Sequence, residues 1–253
     1  MEELEQERIE QPKWRLRLIN IFAAVKRNPI RSLIELFVAI LVIQIVTLPY
    51  GDIRELRTKN PTETAFMREY AALEKKEKRA YHKQQQWISL KQIPQDAIDA
   101  VIVSEDGTFW THQGFDWFEF RESLERDFET GRAVRGASTI TQQLVKNLYL
   151  SSSKNPLRKI KEWIMTWYME QQLPKARILE LYLNVIEWGD GVYGIEAAAH
   201  YYFDKSASAL TRDECARLAA IIPSPRRHRA DVDSKYVVRR SHLILDRMDA
   251  RGM

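Results

Sequence analysis

Apolar residues along this chain follow two patterns. The first is continuous. The segment "SLIELFVAILVIQIVTLPY" holds the one long apolar run, residues 33–50, with Glu35 near its start. A bilayer core takes roughly 20 apolar residues as a helix, within about 17–25. The run sits at the short end of that range and predicts a single transmembrane helix. A buried core helix is the soluble alternative. A cleaved signal peptide fits poorly, because the run begins some thirty residues in and ends without a small-residue cleavage site.

The second pattern is periodic. "PQDAIDAVIVSED" places Ala97, Ile98, Val101 and Ile102 on one helical face after a proline start. "NPLRKIKEWIMTWYMEQQL" opens on Asn-Pro and repeats Leu157, Ile160, Ile164, Trp167 and Tyr168 at steps of three and four. "KARILELYLNVI", "GIEAAAHYYF" and "TRDECARLAAII" continue the series. Alternating β-branched residues are scarce. The expectation is a mainly α body forming one domain over 87–253, with 51–86 as a charged linker or stalk between anchor and body.

Charge gives the anchor a direction. Lys13, Arg15, Arg17, Lys26, Arg27 and Arg31 precede the run with no acid among them. The positive-inside rule then keeps residues 1–32 cytoplasmic and the body on the outer side. Residues 14–27 are amphipathic and basic and are expected on the inner leaflet. Over the whole chain the net charge is only +4, which does not demand a polyanion, and no nucleic-acid motif is present. The single cysteine, Cys215, excludes an intramolecular disulfide and sits in a helical pattern as a buried residue.

Chemistry concentrates in three stretches. "SEDGTFWTHQGFDW" ends a helix on Glu105 and Asp106 beside Phe109 and Trp110. A carboxylate walled by aromatics loses hydration and holds its proton more tightly, which suits a general acid or base. A pair of solvated acids at a helix end is the plain alternative. "GASTITQQLVKN" is polar for a helix, with Gly136 and Ser138 at its expected start. Ser138, Gln142 and Lys146 are spaced by four, which puts hydroxyl, amide and ammonium on one stripe near a positive helix end. Such a stripe suits phosphate and sugar hydroxyls; an exposed polar face is the alternative. "KNPLRKIKEW" supplies Lys154, Arg158, Lys159, Lys161 and Glu162. Arg158 and Glu162 are four apart, either an ordinary surface pair or a carboxylate held ionised within a cationic cluster.

Together these stretches resemble the peptidoglycan glycosyltransferase family, the lysozyme-like domain that polymerises lipid II. The resemblance runs from about 87 to 230 through "EDGTFWTHQGFD", "RGASTITQQLVKNLYL", "RKIKE", "RILELYLNVIEWGDGVYGIEAAAHYYFDKSASALT" and "ARLAAIIPSP" in order. It is strongest to the monofunctional members, a membrane helix plus this domain. The resemblance implies Glu105 as general base toward the acceptor 4-hydroxyl and Glu162 as the second catalytic carboxylate. Ser138, Gln142, Lys146, Lys154, Arg158 and Lys161 would contact substrate. Many members carry arginine where this chain has Lys154, and lysine offers a point charge in place of a fork.

The implied reaction joins lipid II to a growing lipid-linked glycan by β-1,4 bonds, inverts the anomeric carbon and releases undecaprenyl pyrophosphate. No cofactor is required, although Mg2+ or Mn2+ could assist the pyrophosphate. Expected partners are lipid II, the glycan chain, membrane lipids and other wall-synthesis and division proteins, at the bacterial cytoplasmic membrane. His112 is expected to organise its loop, and Tyr182, Asn184, Gly189, Gly191 and Gly194 to shape the fold behind the site. The competing readings are a lytic lysozyme-like hydrolase with Glu105 as acid and a non-catalytic scaffold of wall synthesis.

Overall fold

The computed structural model describes residues 27–130, 138–153 and 155–253. The chain divides into two compact units, 1–48 and 49–253. In the first, helix α1 spans Pro29–Val46 and buries none of its side chains. Pro29 sits at its start, where a missing N–H costs nothing. The membrane-length helix thus begins and ends about four residues before the 33–50 expected. Glu35 does not stand alone on it: Arg31 Nε reaches its Oε1 at 2.8 Å, one turn earlier. The amphipathic segment expected over 14–27 lies, but for Arg27, outside the described residues.

The second unit is helical. Its helices are α2 Tyr50–Glu55, α3 Ala65–Lys76, α4 Gln95–Glu105, α5 Trp117–Thr130, α6 Ile140–Tyr149, α7 Pro156–Gln172, α8 Lys175–Val185, α9 Ile195–Phe203, α10 Arg212–Ile221 and α11 Lys235–Ala250. A small sheet of β1 Gln84–Gln85, β2 Glu187–Gly189 and β3 Val192–Tyr193 runs in the order β1-β3-β2. β1 pairs parallel to β3, and β2 antiparallel to it. The mainly α expectation is met.

The stalk expectation is corrected. Residues 51–86 do not stand apart from the body but fold into it. Ile53 of α2 is fully buried, and Tyr50 meets Tyr168 of α7 edge-on at 4.9 Å. α3 starts on a Thr64 cap, buries Met67 and Tyr70, and packs on α6. Arg177 of α8 grips the connection, donating to the carbonyls of Leu56 at 2.8 Å and Lys59 at 3.0 Å. Even one of the charges that suggested a solvated spacer is buried: Glu74 on α3, 4% exposed, is held by Arg79.

Two packed layers position the chemistry. α10 lies against α4 and α11, and Arg212 ties all three through Asp96 at 3.1 Å and Asp249 at 2.5 Å. α6 lies against α7 and α8. The apolar face of α4 is wholly internal: Ala100, Val101 and Ile102 are each no more than 1% exposed. An aliphatic side chain of valine or isoleucine size stabilises the fold by about 1.5–3 kcal/mol when so buried. Behind the site, Asn184 brackets Ile88, accepting its N–H at 3.0 Å and donating to its carbonyl at 2.9 Å. Gly194 lies at φ +83° with Asn184's carbonyl 2.8 Å from where a Cβ would stand, so only glycine fits there.

Candidate active site

Glu105 is the last residue of α4, and its side chain is 10% exposed. Three groups address it. Gln143 Nε2 donates to Oε2 at 3.0 Å, Ser104 Oγ donates to Oε1 at 3.1 Å, and Arg240 Nη2 stands 3.6 Å from Oε1. Burial raises its pKa above the usual carboxylate range; these three donors pull it partly back, and Asp106 adds to the rise. Of the two aromatics expected to wall it, Phe109 is fully buried and Trp110 is half exposed.

Asp106 does different work. Its buried carboxylate accepts the N–H of Ile140, the first residue of α6, at 2.9 Å. It also takes His112 Nε2 at 2.8 Å. His112 Nδ1 accepts the N–H of Gly114 at 3.0 Å, which fixes the proton on Nε2. The loop closes when Thr139 Oγ1 donates to the carbonyl of Gly114 at 2.8 Å. Gly114 itself is at φ +88° and within 2.9 Å, by a would-be Cβ, of Thr166 on α7. His112 is therefore a loop organiser, as expected, and Asp106 is a cap for α6.

The start of α6 differs from the expectation at Ser138. Thr139 is the N-cap, and it forms a reciprocal capping box with Gln142. Gln142 is buried, with its amide oxygen on the N–H of Thr139 at 3.0 Å. Ser138 precedes the helix, so the stripe of Ser138, Gln142 and Lys146 is not formed. The amide at the site is that of Gln143. Its oxygen accepts from the Tyr182 hydroxyl at 3.0 Å while its nitrogen faces Glu105. Arg135 and Gly136 lie outside the described residues.

Lys146 follows Gln143 by three residues and shares its face of the helix. Burial lowers its pKa below the usual lysine value; Glu162 and Glu105 oppose this, and Arg158 and Lys159 reinforce it. Its ammonium lies 5.7 Å from the centroid of Phe66 on α3. Among the described residues no carboxylate lies within ion-pair reach of it. Glu162, by contrast, is fully engaged: Arg158 Nη1 meets Oε2 at 2.7 Å, and Lys159 Nζ meets Oε1. The pairing partner is thus Lys159, three residues before Glu162, and not Lys161, which is about 100° around the helix from it and has no ion pair among the described residues. Lys154 lies outside the described residues.

These groups form two centres that α6 connects. One is a desolvated carboxylate with amide, hydroxyl and guanidinium donors. The other is a cationic cluster in which Lys146 keeps an unspent charge. The first can accept a proton, and the second can receive phosphate oxygens. Among the described residues no three His, Cys, Asp or Glu side chains converge, and both oxygens of Glu162 are taken by cations. Beside the site, α5 and α7 present Trp117, Phe118, Phe120, Trp163 and Trp167 to solvent. Phe115 joins the two helices, stacking on Trp117 at 5.6 Å and meeting Trp163 at 6.4 Å.

Arg240 is a further residue that the sequence reading missed, besides Gln143 and Lys159. It comes from α11, far along the chain, and its Nη2 also donates to Ser104 Oγ at 3.2 Å. No local spacing signals it.

Comparison with known proteins adds an independent line. Residues 71–249 match the family model described as Transglycosylase. A biosynthetic peptidoglycan transglycosylase of Methylobacillus flagellatus is 44% identical over 190 residues, covering 75% of this chain and 82% of that protein. One from Paraburkholderia phytofirmans is 39% identical over 225 residues, covering 88% and 94%. One from Laribacter hongkongensis is 40% identical over 200 residues, covering 79% and 88%.

Proposed function

We propose, from the premise that this chain belongs to the transglycosylase family, that its glycosyltransferase activity polymerises lipid II with Glu105 as general base. Glu105 Oε1 or Oε2 takes the proton of an acceptor sugar 4-hydroxyl. The freed oxygen bonds to the anomeric carbon of the growing chain as the bond from that carbon to the diphosphate oxygen breaks. Attack opposite the departing group converts α to β. Undecaprenyl diphosphate leaves with the electron pair, against Lys146 and the Arg158–Lys159–Glu162 cluster. Glu162, gripped by Arg158 and Lys159, holds the two cations in place.

One observation carries this reading. A carboxylate that holds its proton tightly and an ammonium with no ion pair among the described residues stand on either side of one helix turn, with Gln143 and Lys146 marking the two ends. A hydrolase acting on finished glycan has no use for the second group. The anchor fits the same reading. α1 has the length and composition to cross a bilayer, and the basic residues before it favour a cytoplasmic N-terminus with the body outside. The aromatic shelf on α5 and α7 suits the headgroup region where a lipid-linked substrate resides.

Glu105→Gln tests it. Glutamine keeps shape and hydrogen bonding but cannot accept the proton, and a placed general base contributes about 10²- to 10⁴-fold. Glycan formation from labelled lipid II should fall by at least about a hundredfold, with inhibitor or substrate binding retained. A variant within a few-fold of wild type sinks the assignment.

A further inference from the structure

We propose that Tyr182 is a positioning residue for glycosyl transfer, holding the Gln143 amide so that its nitrogen faces Glu105. The proposal rests on the reading of Glu105 as the base.

A side-chain amide can present either end. Its NH2 stabilises an ionised carboxylate, whereas its oxygen repels one. Nothing in the helical position of Gln143 selects between them, because flipping exchanges the two without moving the backbone. The choice is made from α8. The Tyr182 side chain is wholly buried, and its hydroxyl lies 3.0 Å from Gln143 Oε1. No other hydrogen bond of that hydroxyl is present among the described residues. Burial raises its pKa well above the usual phenol value, so it stays protonated and remains a donor. A donor at that point demands the amide oxygen. The amide nitrogen is left for Glu105 Oε2 at 3.0 Å, with the Ser138 carbonyl 3.5 Å away as its second acceptor.

The other charged or titratable groups facing Glu105 come from separate elements. Arg240 projects from α11, Lys146 lies one turn along α6, and Asp106 is the next residue in the chain. Removing the phenol hydroxyl leaves all of them in place. Tyr182 therefore acts on the base only through the amide. Its effect on the reaction should be a change in how readily Glu105 ionises, not a loss of substrate contact.

The test is the pH dependence of kcat/KM for lipid II polymerisation by the full-length protein, for wild type, Tyr182→Phe, Gln143→Ala and the double variant. An acid limb set by Glu105 lies at the pH where it loses its proton. Freeing the amide raises that pH, so Tyr182→Phe should lose about tenfold on the limb, the effect of one charge-assisted hydrogen bond. Raising the pH should restore it to within about twofold of wild type, because Glu105 ionises fully there. Gln143→Ala should move the limb the same way, and adding Tyr182→Phe to it should change nothing further. An equal loss at every pH, an unmoved limb in Gln143→Ala, or additive effects in the double variant overturns the proposal. Because Gln143→Ala leaves Tyr182 intact, a failure of Tyr182→Phe to fold does not shelter it. If Glu105→Gln stays active in the same assay, the base assignment fails instead. If Glu105→Gln is inactive and the limbs do not move, the role of Tyr182 fails alone.

Discussion

Replacing Lys146 by methionine isolates the charge that the site leaves unspent. Methionine keeps the aliphatic stem beside Phe66 and removes only the ammonium. In the free protein that ammonium is desolvated and has no carboxylate within reach among the described residues, so the fold gains little from it. Its pKa is lowered, which means that the charged form is the one the fold disfavours at neutral pH. Lys146→Met should therefore melt no lower than wild type. Catalysis should behave oppositely. A hydrogen bond to a charged group contributes about 1.5–3 kcal/mol. At about 1.4 kcal/mol per tenfold in rate, the loss is roughly 10- to 150-fold. It should fall on kcat more than KM, because phosphate charge grows as the glycosidic bond to it breaks. The assay is glycan formation from labelled lipid II over a substrate series, with thermal melting alongside. Lys161→Met is the matched control and should stay within about twofold, as expected of a charge with no ion pair among the described residues. If Lys146→Met polymerises at the wild-type rate, or loses stability in proportion to activity, the diphosphate does not sit where this account puts it.

Asp106→Asn should act chiefly on stability: its NH2 must face either Ile140 N–H or His112 Nε2–H, and an unsatisfied buried group of this kind costs about 1–3 kcal/mol. Melting should drop while the rate per folded molecule falls less than in Glu105→Gln; an intact melting temperature refutes the capping role. A soluble chain starting at residue 60 should melt below one starting at 49, because it lacks Ile53 and Leu56, and burying such a side chain is worth about 1.5–3 kcal/mol; equal melting would return the segment to the status of a spacer. A reporter fused after Met253 should read the outer compartment, and a cytoplasmic signal would overturn the membrane topology.

What the sequence made legible follows the range of the forces involved. The helices α4 and α7 to α10 are plain in the three- and four-residue spacing of apolar positions, and Arg158 meets Glu162 one turn on, as their four-residue spacing allows. The choice between Gln142 and Gln143 was harder. Taking Ser138 as the cap put Gln142 on the active face, yet Thr139 followed three residues later by Gln142 is itself a capping-box signal. Weighing that box would have released Gln143 for the site. Lys159 was equally readable, since three and four residues before Glu162 are both on its face. Arg240 was not readable at all: only the packing of α11 on α4 and α10 brings it to Glu105. The fate of 51–86 depended on the same long-range packing. Its hydrophobic positions are few, and they have meaning only against α6 and α7.

The Asp106 clamp has a consequence for how this protein can change. Ile140 and Thr139 are fastened directly to Asp106 and Gly114, so two hydrogen bonds tie the turn that carries the base to the start of the helix that serves it. Helix α5, with Trp117 and Phe118 turned to solvent, takes no part in those two bonds. That helix can exchange its exposed aromatic face for another while Asp106 still fastens α6 beside Glu105. Variation in what this surface touches is thereby separated from variation in what the enzyme does, and a lineage can change the one without having to rediscover the other.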